Sequence, residues 1–118
     1  MSEKILVEEA RRRAEIFKNL PRYLRMIVKT VKELDKDAEL YLFGSVAEGK
    51  HLLSSDIDIL VVTDLPPAEV LSALWSRGVK DPFEIHVITR EMVEVYRKRG
   101  KLVRIAAASA RGNIGQMR

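Results

Sequence analysis

Eight residues, DIDILVVT from Asp56 to Thr63, limit the fold more than any other stretch of this sequence. β-Branched side chains pack well on a pleated, half-buried surface, so the run predicts a strand. Side chains alternate across a strand, which puts Ile57, Ile59 and Val61 on one face and Asp56 and Asp58 on the other. The apolar set must face core helices. Two carboxylates then stand on the opposite face, with Cα atoms roughly 7 Å apart by strand rise. Like charges at that range repel unless a cation sits between them. Hard oxygen ligands presented this way suit Mg²⁺, which takes one or two carboxylates and fills its other positions with water and substrate phosphates.

The rest of the chain supplies a scaffold for such a strand. Its 118 residues suffice for one modest core. Ile5, Leu6, Ala10, Ala14 and Phe17 recur at helical spacing over 3–19. Pro21 interrupts that pattern and, accepted at a helix start, opens a second helix with Leu24, Ile27, Val28, Val31 and Leu34 as its apolar stripe. ELYLFG predicts a strand ending at Gly44, and 45–55 a turn or short helix followed by a loop. Ala68 to Arg77 predicts a helix closed by Gly78, FEIHVIT a third strand, and REMVEVY a final helix capped by Thr89. Trp75, at helical spacing from Leu71 and Leu74, is read as packing. KLVRIAAASA fits a helix or a further strand equally well. The expected class is α/β (α+β), a small mixed sheet with helices packed on it. A single domain is expected over 1–110, with helices within 3–35 and the sheet and its site within 40–99; 111–118 reads as a mobile tail.

Composition excludes several classes. There is no cysteine, hence no disulfide framework and no thiolate metal site. No apolar run approaches the roughly 20 residues of a membrane helix, and MSEKILVEEARRR has no apolar signal core, so a cytoplasmic location is expected. The net charge of +4 is mild, with basic residues concentrated at Arg11 to Arg13, near Arg22 and Arg25, and at Arg97 to Lys101. A solvated, salt-screened surface accounts for them, and the scarcity of exposed aromatic platforms argues against direct nucleic-acid binding.

Gly44-Ser45 supplies a second half to the acidic strand. A strand ending in Gly lets backbone approach a ligand closely, and turn amides with a Ser hydroxyl donate to phosphate oxygens. Glu48-Gly49 continues the turn. In FEIHVIT, Glu84 shares a face with His86, while Phe83, Ile85 and Val87 take the other. If that strand lies beside the aspartates, Glu84 can reach a second ion or act as a base toward an incoming hydroxyl. His86 is read as structural or as a pocket wall.

Ser45 and Asp56 enclose ten residues, giving GS-x10-D-x-D. That spacing resembles the signature of the DNA polymerase β-like nucleotidyltransferase superfamily, and in particular its small stand-alone "minimal nucleotidyltransferase" proteins. The likeness runs from about Leu40 through Thr89. It implies that Gly44, Ser45 and Gly49 bind nucleotide phosphates. It also implies that Asp56, Asp58 and Glu84 form the catalytic and metal-binding triad for two Mg²⁺ ions. The implied activity is transfer of AMP from ATP, or of another nucleotidyl group from its triphosphate, to a hydroxyl of a partner protein. Relatives of this kind are often paired with a small helical HEPN-type toxin, so an antitoxin role is implied. The superfamily more often has Asp at the Glu84 position, and a basic residue where this turn has Val46, Ala47 and Glu48. Those departures favour the alternative of a catalytically weak nucleotide-binding module that sequesters its partner.

Overall fold

A computed structural model describes residues 3–50 and 55–106. In chain order it contains α1 (Glu3–Lys18), α2 (Leu20–Leu34), β1 (Glu39–Phe43), α3 (Gly44–Ala47), β2 (Ile57–Val62), α4 (Pro67–Ser76), β3 (Phe83–Ile88), a 3-10 turn (Arg90–Met92), α5 (Val93–Arg99) and β4 (Val103–Ala106). Pro21 and Pro67 both stand in the first turn of a helix, where the missing N–H costs nothing. The segment that fitted helix or strand equally well forms β4 over its described part. The proposed tail lies outside the described residues.

The strands form one sheet in the order β3-β2-β1-β4. β1 runs antiparallel to both β2 and β4, whereas β2 and β3 are parallel. Parallel neighbours need a crossover, and α4 supplies it. One face of the sheet is covered by the amphipathic faces of α2 and α4: Ile27 and Val31 pack with Leu40, Ile57, Ile59, Val61, Val70 and Leu74, all with no solvent exposure. Each such side chain contributes roughly 1.5–3 kcal/mol relative to its exposed state. The expected facing of Ile57, Ile59 and Val61 is therefore the observed one.

The opposite face is covered as well. Tyr41, Leu60, Val62 and Val93 form a second buried cluster, with Phe43, Ile88, Tyr96 and Leu102 around it. Val93 and Tyr96 come from α5, which lies across this face. Consequently β2 is buried on both sides over its length except at Asp58, which precedes Leu60 and Val62 on the α5 side. No described helix is long and apolar enough to cross a membrane.

Two local expectations are corrected. Trp75 is 63% exposed, because Val70 and Leu74 carry the packing of α4 and leave Trp75 facing outward. Thr89 makes no side-chain cap bond; its carbonyl instead accepts the Met92 N–H at 3.0 Å, and the chain enters α5 through the 3-10 turn.

Arg90 ties the start of that segment to the sheet, its guanidinium donating to Glu39 at 2.8 Å. Burial alone would raise the Glu39 carboxyl, but hydrogen bonds from Tyr41 and Arg90 outweigh it, and the net displacement is downward. A carboxyl held low in the fold stabilises above its unfolded pKa and loses that contribution as pH falls through the folded value. Arg90→Ala is expected to destabilise at pH 7, by about 1 kcal/mol or less, since Arg90 itself is 59% exposed. The difference should shrink toward about pH 3 in paired thermal melts.

Candidate active site

Strand register brings the acidic and glycine-rich segments together. Antiparallel pairing sets Phe43, the last residue of β1, opposite Asp58, so the chain turns into Gly44 directly beside that carboxylate. Parallel pairing on the other side sets Glu84 beside Asp58. The condition on which Glu84 depended is met.

Gly44 is required on two grounds. Its φ of +75° lies in the left-handed region, and a Cβ placed there would come within 2.5 Å of Asp58 Oδ2. The absent side chain is thus the space the carboxylate uses. Ser45 follows in α3, and its carbonyl accepts the Lys50 N–H at 2.9 Å, folding the turn back on itself. Gly49, also at positive φ, is exposed, and its N–H donates to Val46 at 3.2 Å. A Cβ on Gly49 would meet nothing within 4 Å, so there only the backbone conformation asks for glycine.

Asp58, Glu84 and His86 each offer a donor atom, and the three lie within 4.8 Å of one another. His86 Nε2 is 3.4 Å from Asp58 Oδ1 and 3.1 Å from Glu84 Oε1. The imidazole is held from behind by an edge-on contact with Phe43, centroid to centroid 4.9 Å. His86, read from sequence as structural or as a pocket wall, stands within hydrogen-bonding distance of the acidic group. Asp56 is exposed, precedes β2 and is not a member of this tight group. Burial pushes the Asp58 carboxyl above its usual range; the neighbouring Glu84 charge adds to this, while the His86 contact opposes it. This donor set, with its uncompensated acidity and the glycine gap beside it, fits a divalent cation.

Two groups of basic residues are brought near these strand ends by tertiary packing. A hollow beside Gly44 is lined by Glu48, Tyr96, Arg99 and Lys101 among others. The Arg99 guanidinium stacks on Tyr96 at 5.4 Å, and Glu48 is 3.7 Å from Lys50. From α1, Arg13 donates to the Ser55 carbonyl at 3.2 Å and Arg12 to the Asp81 carbonyl, fixing the approaches to β2 and β3. Both clusters look like solvated surface in sequence, and nothing in their own spacing gives them away.

The sequence profile of the nucleotidyltransferase domain family matches residues 24–109. The chain belongs to this family. A crystal structure of a presumed nucleotidyltransferase is similar to it at 29% identity and a TM-score of 0.59, over 70% of this chain and 96% of that one. Another presumed nucleotidyltransferase, from Sulfolobus solfataricus, is 26% identical over 84% of each chain, with a TM-score of 0.49. Nucleotidyltransferase domains act on nucleoside triphosphates and generally use divalent metals, and the match covers Gly44, Ser45, Gly49, Asp56, Asp58, Glu84 and His86 but not Arg12 or Arg13.

In the nucleotidyltransferase domain, Gly44→Ala should lose stability by more than the roughly 1–2 kcal/mol of a left-handed alanine, because Asp58 must also move. Gly49→Ala should lose only that backbone amount, and denaturant titration of both variants checks the contrast. A carboxyl raised in the fold costs stability as pH climbs from the unfolded to the folded value. Asp58→Asn should therefore melt above wild type at pH 7 in chelator, with the gap closing in acid.

Proposed function

We propose that this domain transfers a nucleotidyl group, AMP from ATP, to a hydroxyl of a partner protein. The supporting observation is the convergence of Gly44, Asp58 and Glu84 at one end of the sheet, at the spacing GS-x10-D-x-D. Asp56, Asp58 and Glu84 would hold two Mg²⁺ ions, with Asp56 joining from the mouth of the site. When bound, the ions neutralise charge on the α-phosphate and on the departing pyrophosphate.

The chain's own groups do the remaining work. Ser45 and the backbone amides of its turn donate to the outer phosphates, and Gly44 and Gly49 let that turn close on them. Arg99 and Lys101, beside Gly44, provide the positive charge that Val46, Ala47 and Glu48 do not. The acceptor oxygen attacks the α-phosphorus, the bond from that phosphorus to the β-bridging oxygen breaks, and pyrophosphate leaves. Glu84, more than half exposed, either completes the ion shell or takes the hydroxyl proton.

A small helical HEPN-type toxin encoded beside this chain is the proposed acceptor, which makes the domain its antitoxin, acting in the cytoplasm. The alternative, a weak nucleotide binder that sequesters the partner, draws on a different surface. Ile5, Leu6 and Val7 of α1 are 50%, 59% and 52% exposed, and α1 precedes the family match.

Incubation with labelled ATP, Mg²⁺ and the product of the neighbouring gene tests the transfer. Label on the partner is expected, reduced by about 100-fold or more in Asp56→Ala and Asp58→Ala. Absence of label, with both variants still neutralising the partner, would leave only sequestration. Arg99→Ala should weaken ATP binding by roughly tenfold, the value of one charge-assisted hydrogen bond, in calorimetry.

A further inference from the structure

His86 has no part in the transfer step described above, yet its ring is the best-positioned nitrogen in the site. Alternation along β3 puts it on the face of Glu84, and parallel register puts both beside Asp58. Nε2, not a carbon edge, faces the two carboxylates, and Phe43 packs against the ring to hold that orientation. The two oxygens of Asp58 look in different directions. Oδ1 is the one near His86, whereas Oδ2 is the one that fills the gap at Gly44. One carboxylate therefore faces two sides, one toward the Gly44 backbone and one toward β3, where His86 adds a nitrogen donor.

We propose that His86 is a metal ligand, and that the position it shares with Asp58 Oδ1 and Glu84 selects a transition-metal divalent ion such as Mn²⁺ over Mg²⁺. This rests on the metal-dependent reading of the site and adds ion identity to it. Imidazole nitrogen ligates first-row transition-metal ions, and Mn²⁺, the hardest of that series, also takes the carboxylate and water ligands present here, whereas Mg²⁺ favours oxygen alone and surrenders its water reluctantly. His86 Nε2 lies 3.4 Å from Asp58 Oδ1 and 3.1 Å from Glu84 Oε1, separations that two ligands of one ion span with bonds of about 2 Å. In the absence of an ion, a hydrogen bond between His86 and the carboxylates uses the same atoms, and the two roles make different demands on the ion. Ion preference separates them.

The experiment uses the full chain with Mn²⁺ or Mg²⁺ alone, without nucleotide. Calorimetry should give wild type a Mn²⁺ affinity above its Mg²⁺ affinity. His86→Gln should lose at least the roughly tenfold in Mn²⁺ affinity that even an outer-shell partner is worth, with Mg²⁺ binding unchanged. Pulsed electron paramagnetic resonance of bound Mn²⁺ should show nitrogen coupling in wild type and in His51→Gln, and none in His86→Gln. The wild-type spectrum needs no substitution, so it decides the matter even if His86→Gln folds poorly. Mn²⁺ bound without nitrogen coupling, or a His86→Gln variant that keeps its ion ratio, overturns the proposal and leaves a metal-dependent transferase intact. If neither ion binds wild type, the proposal falls; Mg²⁺-dependent label transfer then tells whether the wider reading falls with it.

Discussion

A carboxylate held near the start of a strand that is apolar on both faces is the constraint on which this domain turns. β2 is covered on one side by α2 and α4 and on the other by α5, and Asp58 is its partly buried interruption. Burial raises the cost of that charge, and the surroundings are arranged to meet it. A glycine gives one oxygen room, an imidazole faces the other, and a second carboxylate adds charge instead of relieving it. An arrangement selected for stability alone would have put an apolar or neutral residue there. The excess of negative charge makes sense as a demand for a cation.

The site is also braced from outside its own residues. Arg12 and Arg13 of α1 hold the carbonyls of Asp81 and Ser55, one at the approach to each acidic strand. The family match begins within α2, so this brace comes from a helix added before the matched region. Arg99 reaches the site from the end of α5, whose register is set by packing against Leu60 and Val62 and by the Arg90–Glu39 pair. Helices α1 and α5 thus converge on the strand ends that carry the candidate site.

Sequence made some of this legible and hid the rest for physical reasons. Alternation in DIDILVVT is a local property, so the facing of Ile57, Ile59 and Val61 could be read directly. The second cluster could not, because Leu60 and Val62 share their face with Asp58, and only the placement of α5 shows how far the cover extends. Strand parity puts Glu84 and His86 on one face, and the parallel register with β2 sets that face beside Asp58. What concealed His86 was that a histidine two residues from a glutamate is ordinary, and only pairing with β2 makes it a neighbour of Asp58. Asp56 shows the converse. Strand parity grouped it with Asp58, but the chain has not yet entered the strand at that point, and the tight group forms across β3 instead.

The neighbours of β2 differ in how their alignment is enforced. β1 is anchored by the chain reversal through α3, whereas β3 arrives by a long overpass and is aligned by its own alternating faces. Parity leaves no intermediate setting. Were one residue added to the turn between Gly78 and Phe83, β3 would either bulge or slide by a single step. Sliding would carry Glu84 and His86 into the oily layer beneath the sheet and turn Ile85 toward the water. The acidic face and the hydrophobic layer thus check each other's alignment, so an error in the turn would surface as misfolding before it could surface as an altered site.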